Sequence, residues 1–128
     1  MFPQVEIRPA VSGDAASVDR IARGEVWVAT DGDELSGFVV LRARPDSMLL
    51  ESVAVSAPYR GQRVGRALIG FAERRAHDLG LGSVELYTNA MMTENLRYYP
   101  RLGYVEYDRR PRGDFSVVFM RKRLLAGA

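Results

Sequence analysis

The densest chemistry in the chain lies at Arg60-Gly61-Gln62-Arg63-Val64-Gly65-Arg66, where arginines and glycines crowd one short segment. Ahead of it, Val53-Ala54-Val55 is a β-prone apolar run. Ala57-Pro58 ends that run, because proline has no N–H for a sheet and restricts the residue before it. Behind it, Val64, Leu68, Phe71, Ala72 and Leu79 recur at helical spacing. A strand that feeds a glycine-containing turn and a helix N-terminus builds an anion site. The first-turn N–H groups converge there and the helix dipole adds positive charge. Gly61 and Gly65 permit a backbone path that other residues resist. Gln62 to Ala67 therefore offer N–H groups to a phosphate or pyrophosphate, and Arg60, Arg63 and Arg66 add full charges around it. An ordinary strand-to-helix turn would not explain arginines at a helix N-terminus, where cations are unfavourable without an anion.

The rest of the composition narrows the chemistry. At 128 residues the chain is expected to form one domain, residues 1–128, with a real core. It has no cysteine, which excludes disulfides, thiolate metal sites and a cysteine nucleophile. A single histidine, His77, excludes a multi-histidine metal site, and no metal is expected. The start, Met-Phe-Pro-Gln-Val-Glu, lacks a basic region followed by an apolar run, and no stretch is long and apolar enough to span a membrane. The expected setting is the cytoplasm, with no membrane partner. Lys and Arg total 18 against 16 acidic residues, a net charge of +2. All the basic residues but Lys122 are arginine. That balance weakly favours anionic ligands and does not suggest general nucleic-acid binding.

The elements that must hold the loop follow in order. Gln4 to Arg8 alternates as a first strand ended by Pro9, and Ser12-Gly13-Asp14 offers N-cap chemistry for a helix over Ala15 to Arg23. Glu25–Thr30 and Glu34–Arg44 read as strands joined by the hairpin signal Asp31-Gly32-Asp33, with Gly37 marking a bulge or a close approach. Ser47 to Val55 is a long strand, and the helix after the loop runs to Leu79. Ser83–Thr88 is the next strand and Thr93–Leu102 a short helix. Pro100 fits inside that helix only near its start or at a kink. Tyr104–Asp108 and Phe115–Arg121 are the last strands, separated by a basic turn over Arg109–Asp114. The order β-α-β-β-β-α-β-α-β-β implies a mixed, mostly antiparallel sheet of about seven strands with helices on its faces, an α/β (α+β mixed) fold. The crossover predicts parallel pairing of Ser47–Val55 with Ser83–Thr88.

Three segments resemble the GNAT superfamily of acetyl-CoA-dependent N-acetyltransferases. Ile7-Arg8-Pro9-Ala10 is similar to the family's first strand. Glu51 to Val55 followed by Pro58 to Leu68 resembles its central strand and pyrophosphate loop. Tyr98-Tyr99-Pro100-Arg101-Leu102-Gly103-Tyr104 resembles its later Tyr-x-x-Leu-Gly-Phe segment. The order and separation of these segments make the resemblance specific. Two departures stand out. Arg63 occupies a loop position that is usually glycine, though its N–H still serves. Only about fifteen residues separate Pro9 from Glu25, room for one helix where the family usually has two. The acceptor side is then more open, or a second subunit of a homodimer covers it.

The resemblance implies roles. Val53, Ala54 and Val55 would offer backbone groups to the amide-rich pantetheine arm of acetyl-CoA, as in strand addition. Tyr99 is the candidate general acid for the departing thiolate, with Tyr98 in reserve. Glu51 is the candidate general base, its basicity raised by burial; the structural alternative pairs it with Arg42 or Arg44. Glu85 and Glu25 are weaker candidates. Asn95, and less so Asn89, would contact the pantetheine arm, although Asn95 also suits a helix start. His77 receives no catalytic role, and Trp27 packs the sheet or faces the acceptor. The implied function is acetyl transfer to a small-molecule or peptide amine in a ternary complex. A non-catalytic CoA-binding module is the alternative, and a nucleic-acid-binding protein the weaker third.

Overall fold

Strands dominate because the apolar residues alternate, and a computed structural model, which describes residues 6–10, 26–61 and 63–124, shows how they assemble. The strands are β1 (Glu6–Pro9), β2 (Val26–Asp31), β3 (Glu34–Ala43), β4 (Ser47–Val55), β5 (Ser83–Asn89), β6 (Val105–Arg112) and β7 (Phe115–Arg123). A 3-10 turn (Ala57–Tyr59) and helix α1 (Val64–Asp78) connect β4 to β5, and helix α2 (Thr93–Arg101) connects β5 to β6. They form one seven-stranded sheet in the order β1-β2-β3-β4-β5-β7-β6. The β4–β5 pair is parallel and the rest antiparallel. The helix expected over Ala15–Arg23 lies outside the described residues, as do Gln62, Glu25 and the terminal Ala126–Ala128.

Alternation sorts side chains onto two faces. Ala29, Val39, Leu41, Met48, Leu50, Val84, Leu86, Val118 and Met120 join Leu68, Ile69 and Ala72 of α1 in the main core. Val26, Val28 and Val40 form a smaller cluster on the opposite face with Ala10. Trp27 belongs to the α1 side, its ring 4.7 Å from that of Phe71.

Two irregularities shape the middle of the sheet. Between β2 and β3 the register passes from Ala29↔Gly37 to Thr30↔Leu35, leaving Ser36 as the extra residue. Between β3 and β4 it passes from Val40↔Ser52 to Leu41↔Leu50, leaving Glu51 as the extra residue. Gly37 sits where two layers crowd. A Cβ there would lie 2.6 Å from the Ala54 carbonyl oxygen and 3.1 Å from Leu68 Cδ1. The glycine expected to mark a bulge or a close approach thus marks the approach, one residue from the bulge.

The structure corrects two local expectations. The basic segment Arg109–Arg112 is not a turn: β6 continues through it to Arg112, and Gly113-Asp114 make the turn. Pro111 is tolerated because β6 is an edge strand, where its missing N–H interrupts no central ladder. Pro100 lies in the last turn of α2, neither near its start nor at a mid-helix kink. It removes one helical hydrogen bond just where the helix is closing. Gly103 then adopts φ +100°, and the N–H groups of Gly103 and Tyr104 donate to the carbonyls of Pro100 and Tyr99 at 3.1 and 3.2 Å. Those are the paired bonds of a Schellman ending.

Replacing Gly37 by alanine is expected to lower the unfolding free energy by about 1–3 kcal/mol, the cost of overpacking against fixed backbone. Gly82→Ala, whose added Cβ meets nothing nearer than 3.9 Å, should change it by less than about 0.5 kcal/mol. Urea unfolding of both variants checks the contrast.

Candidate donor cleft and active site

Parallel pairing of β4 with β5 covers only Ser47↔Ser83 through Leu50↔Leu86. Beyond Leu50 the strands part, and the β5-facing backbone of Ser52–Val55 has no ladder partner there. These residues are half-buried and Ala54 is exposed, so the open backbone groups are accessible to an extended ligand. The bulge at Glu51 is where β4 changes direction.

The gap opens into a cleft of about 620 Å³ between the C-terminal half of β4, the N-terminus of α1 and α2. Val53, Ala54 and Val55 line it along the strand, and Arg60, Gly61, Arg63, Val64, Gly65 and Arg66 line it along the loop. Asn95, Tyr98 and Tyr99 close it from α2. The structure thus brings together most of the residues that the sequence nominated. Ala67 follows in α1 outside the lining, Gln62 lies outside the described residues, and Glu51 and Asn89 do not line the cleft.

The loop's backbone leads directly into an uncapped helix start. Gly61 has φ +80° and Arg63 φ +65°, so two left-handed residues turn the chain into α1. Arg63 is the N-cap but caps nothing with its side chain, and the first turn carries no acidic residue. The first helical bond runs from the Ala67 N–H to the Arg63 carbonyl at 3.0 Å. The N–H groups of Val64, Gly65 and Arg66 therefore have no helical acceptor. At its other end α1 is closed: the N–H groups of Gly80 and Leu81 donate to the carbonyls of His77 and Ala76.

On α2, Asn95 does not cap the helix. Its Nδ2 donates to Thr88 Oγ1 at 3.1 Å, tying α2 to the end of β5. Asn89 serves the connecting turn: its Oδ1 accepts from the Met91 N–H at 2.8 Å and its carbonyl from the Met92 N–H at 2.9 Å. Tyr99 is buried, with the Tyr98 ring at 5.5 Å and the Tyr104 ring at 5.9 Å. Burial, and then the neighbouring Tyr98, pushes its phenol above the ordinary range. It is therefore a protonated donor at neutral pH. Tyr98 is more exposed; burial raises its phenol too, and the charge of Arg66 works against that rise.

Glu51 lies on β4 with its side chain 15% exposed and its Oε2 3.7 Å from Arg42 Nη2. This is the strand-neighbour pairing that the sequence offered as the alternative to a base. Sequence reasoning passed over Tyr59. Its ring is buried and its hydroxyl donates toward Glu34 Oε2 at 2.9 Å and Asp31 Oδ2 at 3.2 Å. The partners lie 25 and 28 residues away, so no local signal could have found them.

A family model described as an acetyltransferase (GNAT) domain matches residues 22–106. This chain belongs to the GNAT acetyltransferase family. The uncharacterized N-acetyltransferase YvbK of Bacillus subtilis (strain 168) is 31% identical over 85 residues, covering 66% of this chain and 55% of that protein. The GNAT chain thus spans about half the length of this curated relative. Its fold matches the ribosomal-protein-S18-alanine N-acetyltransferase from Escherichia coli at a TM-score of 0.80 and 20% identity, over 97% of both chains. A GNAT acetyltransferase from Elizabethkingia anophelis, crystallised with acetyl-CoA bound, matches at a TM-score of 0.79 and 16% identity, over 94% of this chain and 98% of that one.

The GNAT sheet also holds a carboxylate that structure, not chemistry, has claimed. Glu85 is buried and accepts from Ser47 Oγ at 2.9 Å and from Arg121 Nε and Nη2 at 3.0 and 2.6 Å, with Arg44 Nη1 at 3.6 Å. Burial alone would raise its carboxyl, but the hydrogen bonds from Arg121 and Ser47 and the Arg121 charge outweigh it and hold the group below the ordinary carboxylate range. A depressed folded value contributes stability above the unfolded pKa, and that contribution is lost as pH falls through the folded one. Glu85→Gln is therefore expected to cost about 1–3 kcal/mol at pH 7 and to flatten the fall in stability below about pH 4.5. Urea unfolding across pH 3–7, roughly the carboxylate window, tests this. An acid dependence as steep as the unaltered protein's would contradict it.

Proposed function

We propose that this GNAT chain transfers an acetyl group from acetyl-CoA to a primary amine, small-molecule or peptide, by direct transfer in a ternary complex. One observation carries the reading. The gap after Leu50↔Leu86, the open N-terminus of α1 and the buried Tyr99 face a single cleft. Acetyl-CoA, when bound, supplies the thioester. In the proposed arrangement Val53, Ala54 and Val55 pair their backbone with the pantetheine amides and Asn95 flanks that arm, while Asn89 acts behind it by shaping the connecting turn. The open N–H groups of Val64, Gly65 and Arg66 hold the pyrophosphate, while the Ala67 N–H is already given to the Arg63 carbonyl, and Arg60, Gly61 and Arg63 form the turn around it. Backbone N–H groups of β4 polarise the thioester oxygen. Tyr99 gives its proton to the departing thiolate, and Glu51 takes the proton of the ammonium acceptor, through water across the β4 bulge. Holding both reactants in line supplies much of the rate. Access to the donor makes the cytoplasm the proposed setting. A CoA-binding module without catalysis is the second reading, and the Glu51–Arg42 pair is the observation on its side.

The test is amine-dependent release of CoA thiol across amino acids, polyamines, aminoglycosides and peptide N-termini. Tyr99→Phe should lower kcat about 10²–10⁴-fold and leave the Kd for CoA within about twofold. Because the Tyr99 phenol is raised, the rate should not fall on the alkaline side until pH passes the ordinary phenol range. Turnover that survives both Tyr99→Phe and Glu51→Gln would sink the assigned roles. CoA binding without turnover on any amine would favour the module.

A further inference from the structure

Among its described residues the proposed pyrophosphate loop has two in the left-handed region, Gly61 and Arg63, and it enters α1 without a side-chain cap. Its C-terminal side is held by the helix. Its N-terminal side is the short 3-10 turn Ala57–Tyr59, whose bonds include Tyr59 N–H to Ser56 carbonyl (2.9 Å) and Arg60 N–H to Ala57 carbonyl (3.3 Å). That side also packs on the β2–β3 hairpin.

The tip of the β2–β3 hairpin receives three donors from that side. The Ser56 N–H donates to the Ser36 carbonyl at 2.8 Å, and Ser56 Oγ to the Leu35 carbonyl at 3.1 Å. The Tyr59 hydroxyl donates toward Glu34 and Asp31, the pair that closes the hairpin ladder. The Ser36 carbonyl comes from the extra residue of the β2–β3 irregularity, so the bulge itself supplies an acceptor. The ring of Tyr59 is part of the main core and also lines the donor cleft. Hydrogen bonding to Glu34, burial and the nearby carboxylate charges push its phenol up to about 12, so the donor proton stays in place.

We propose that the β2–β3 hairpin tip is a brace for the pyrophosphate loop, in which Tyr59, received by Glu34 and Asp31, is a positioning residue for the phosphate end of the donor. This rests on the donor reading above. The brace acts on the loop before any anion arrives, so the N–H groups of the first turn are already aimed when the donor binds. Its loss is felt by ligands that carry the pyrophosphate and not by the pantetheine arm, which meets β4 instead.

The experiment measures calorimetric Kd values for CoA and for pantetheine, which lacks the pyrophosphate. Tyr59→Phe and Glu34→Ala are each expected to weaken CoA binding about tenfold, the order expected for a lost hydrogen bond to a charged group. Pantetheine should move by less than about twofold in both. Glu34→Gln, which keeps an acceptor for the phenol, should restore CoA affinity to within about threefold. The double variant Glu34→Ala/Tyr59→Phe should be no weaker than Tyr59→Phe alone, because removing the hydroxyl already removes what Glu34 and Asp31 receive. Circular dichroism and thermal melting confirm that each variant is folded. Unchanged CoA affinity in both folded single variants, or equal weakening toward pantetheine, would overturn the brace and leave the donor reading intact. No CoA binding by the unaltered chain would overturn the donor reading, and the brace with it.

Discussion

Four residue pairs join β4 to β5, and the separation that follows them governs the rest of the molecule. A parallel pair that continued to Val55 would satisfy its own backbone and leave nothing to offer a ligand. The bulge at Glu51 and the close approach of Gly37 to Ala54 let β4 stay bonded to β3 while it departs from β5. The unpartnered edge is thereby placed inside the sheet, where it is shielded from the pairing with other chains that an outer edge invites. Of the two outer edges, the one at β6 is defended differently, by Pro111 and by charges paired along the strand, Glu106 with Arg109 and Asp108 with Arg110.

Helix α1 translates that opening into electrostatics. Its C-terminal carbonyls are answered by Gly80 and Leu81, while the Arg63 side chain at its N-cap answers none of its N-terminal N–H groups. The asymmetry is sustained by packing: Val64, Leu68, Ile69, Ala72 and Ala76 are buried against the sheet, so the helix does not need a capped start to form. Helix α2 completes the enclosure. The bond from the Tyr104 N–H to the Tyr99 carbonyl fixes the end of the helix, and the Tyr104 hydroxyl reaches Glu73 of α1 at 3.0 Å. Lys122 meets the same carboxylate at 2.8 Å. Tyr99 is thus tied to Tyr104, whose hydroxyl is anchored on α1 at Glu73.

Much of this was readable from local pattern. The alternation of Val26–Thr30 and the apolar spacing of α1 gave element types, and the glycines with their arginines gave the loop. What failed was contextual. Pro111 and its flanking arginines look like a turn, and only the position of β6 at the sheet's edge makes them a strand. Pro100 looks like an interruption, and only the closing of α2 by Gly103 makes room for it. The bulge at Glu51 left no mark in the period of β4, because both faces there are partly apolar. Tyr59 and Tyr104 were hidden for a simpler reason: their partners are distant in sequence, and a phenol's destination is decided by the fold.

Trp27 gives the protein a built-in reporter. It is the sole tryptophan, and it sits on β2 with Phe71 against one side and the Arg75 guanidinium 5.6 Å from its ring centre. Both neighbours belong to α1. Its indole emission therefore reads the seating of one helix on one sheet, free of any second chromophore of its kind. Quenching by the guanidinium and the polarity around the ring would both change if α1 lifted or turned as its N-terminus closed on an anion. A single ring at the junction of helix and sheet thus lets the scaffold be watched in real time.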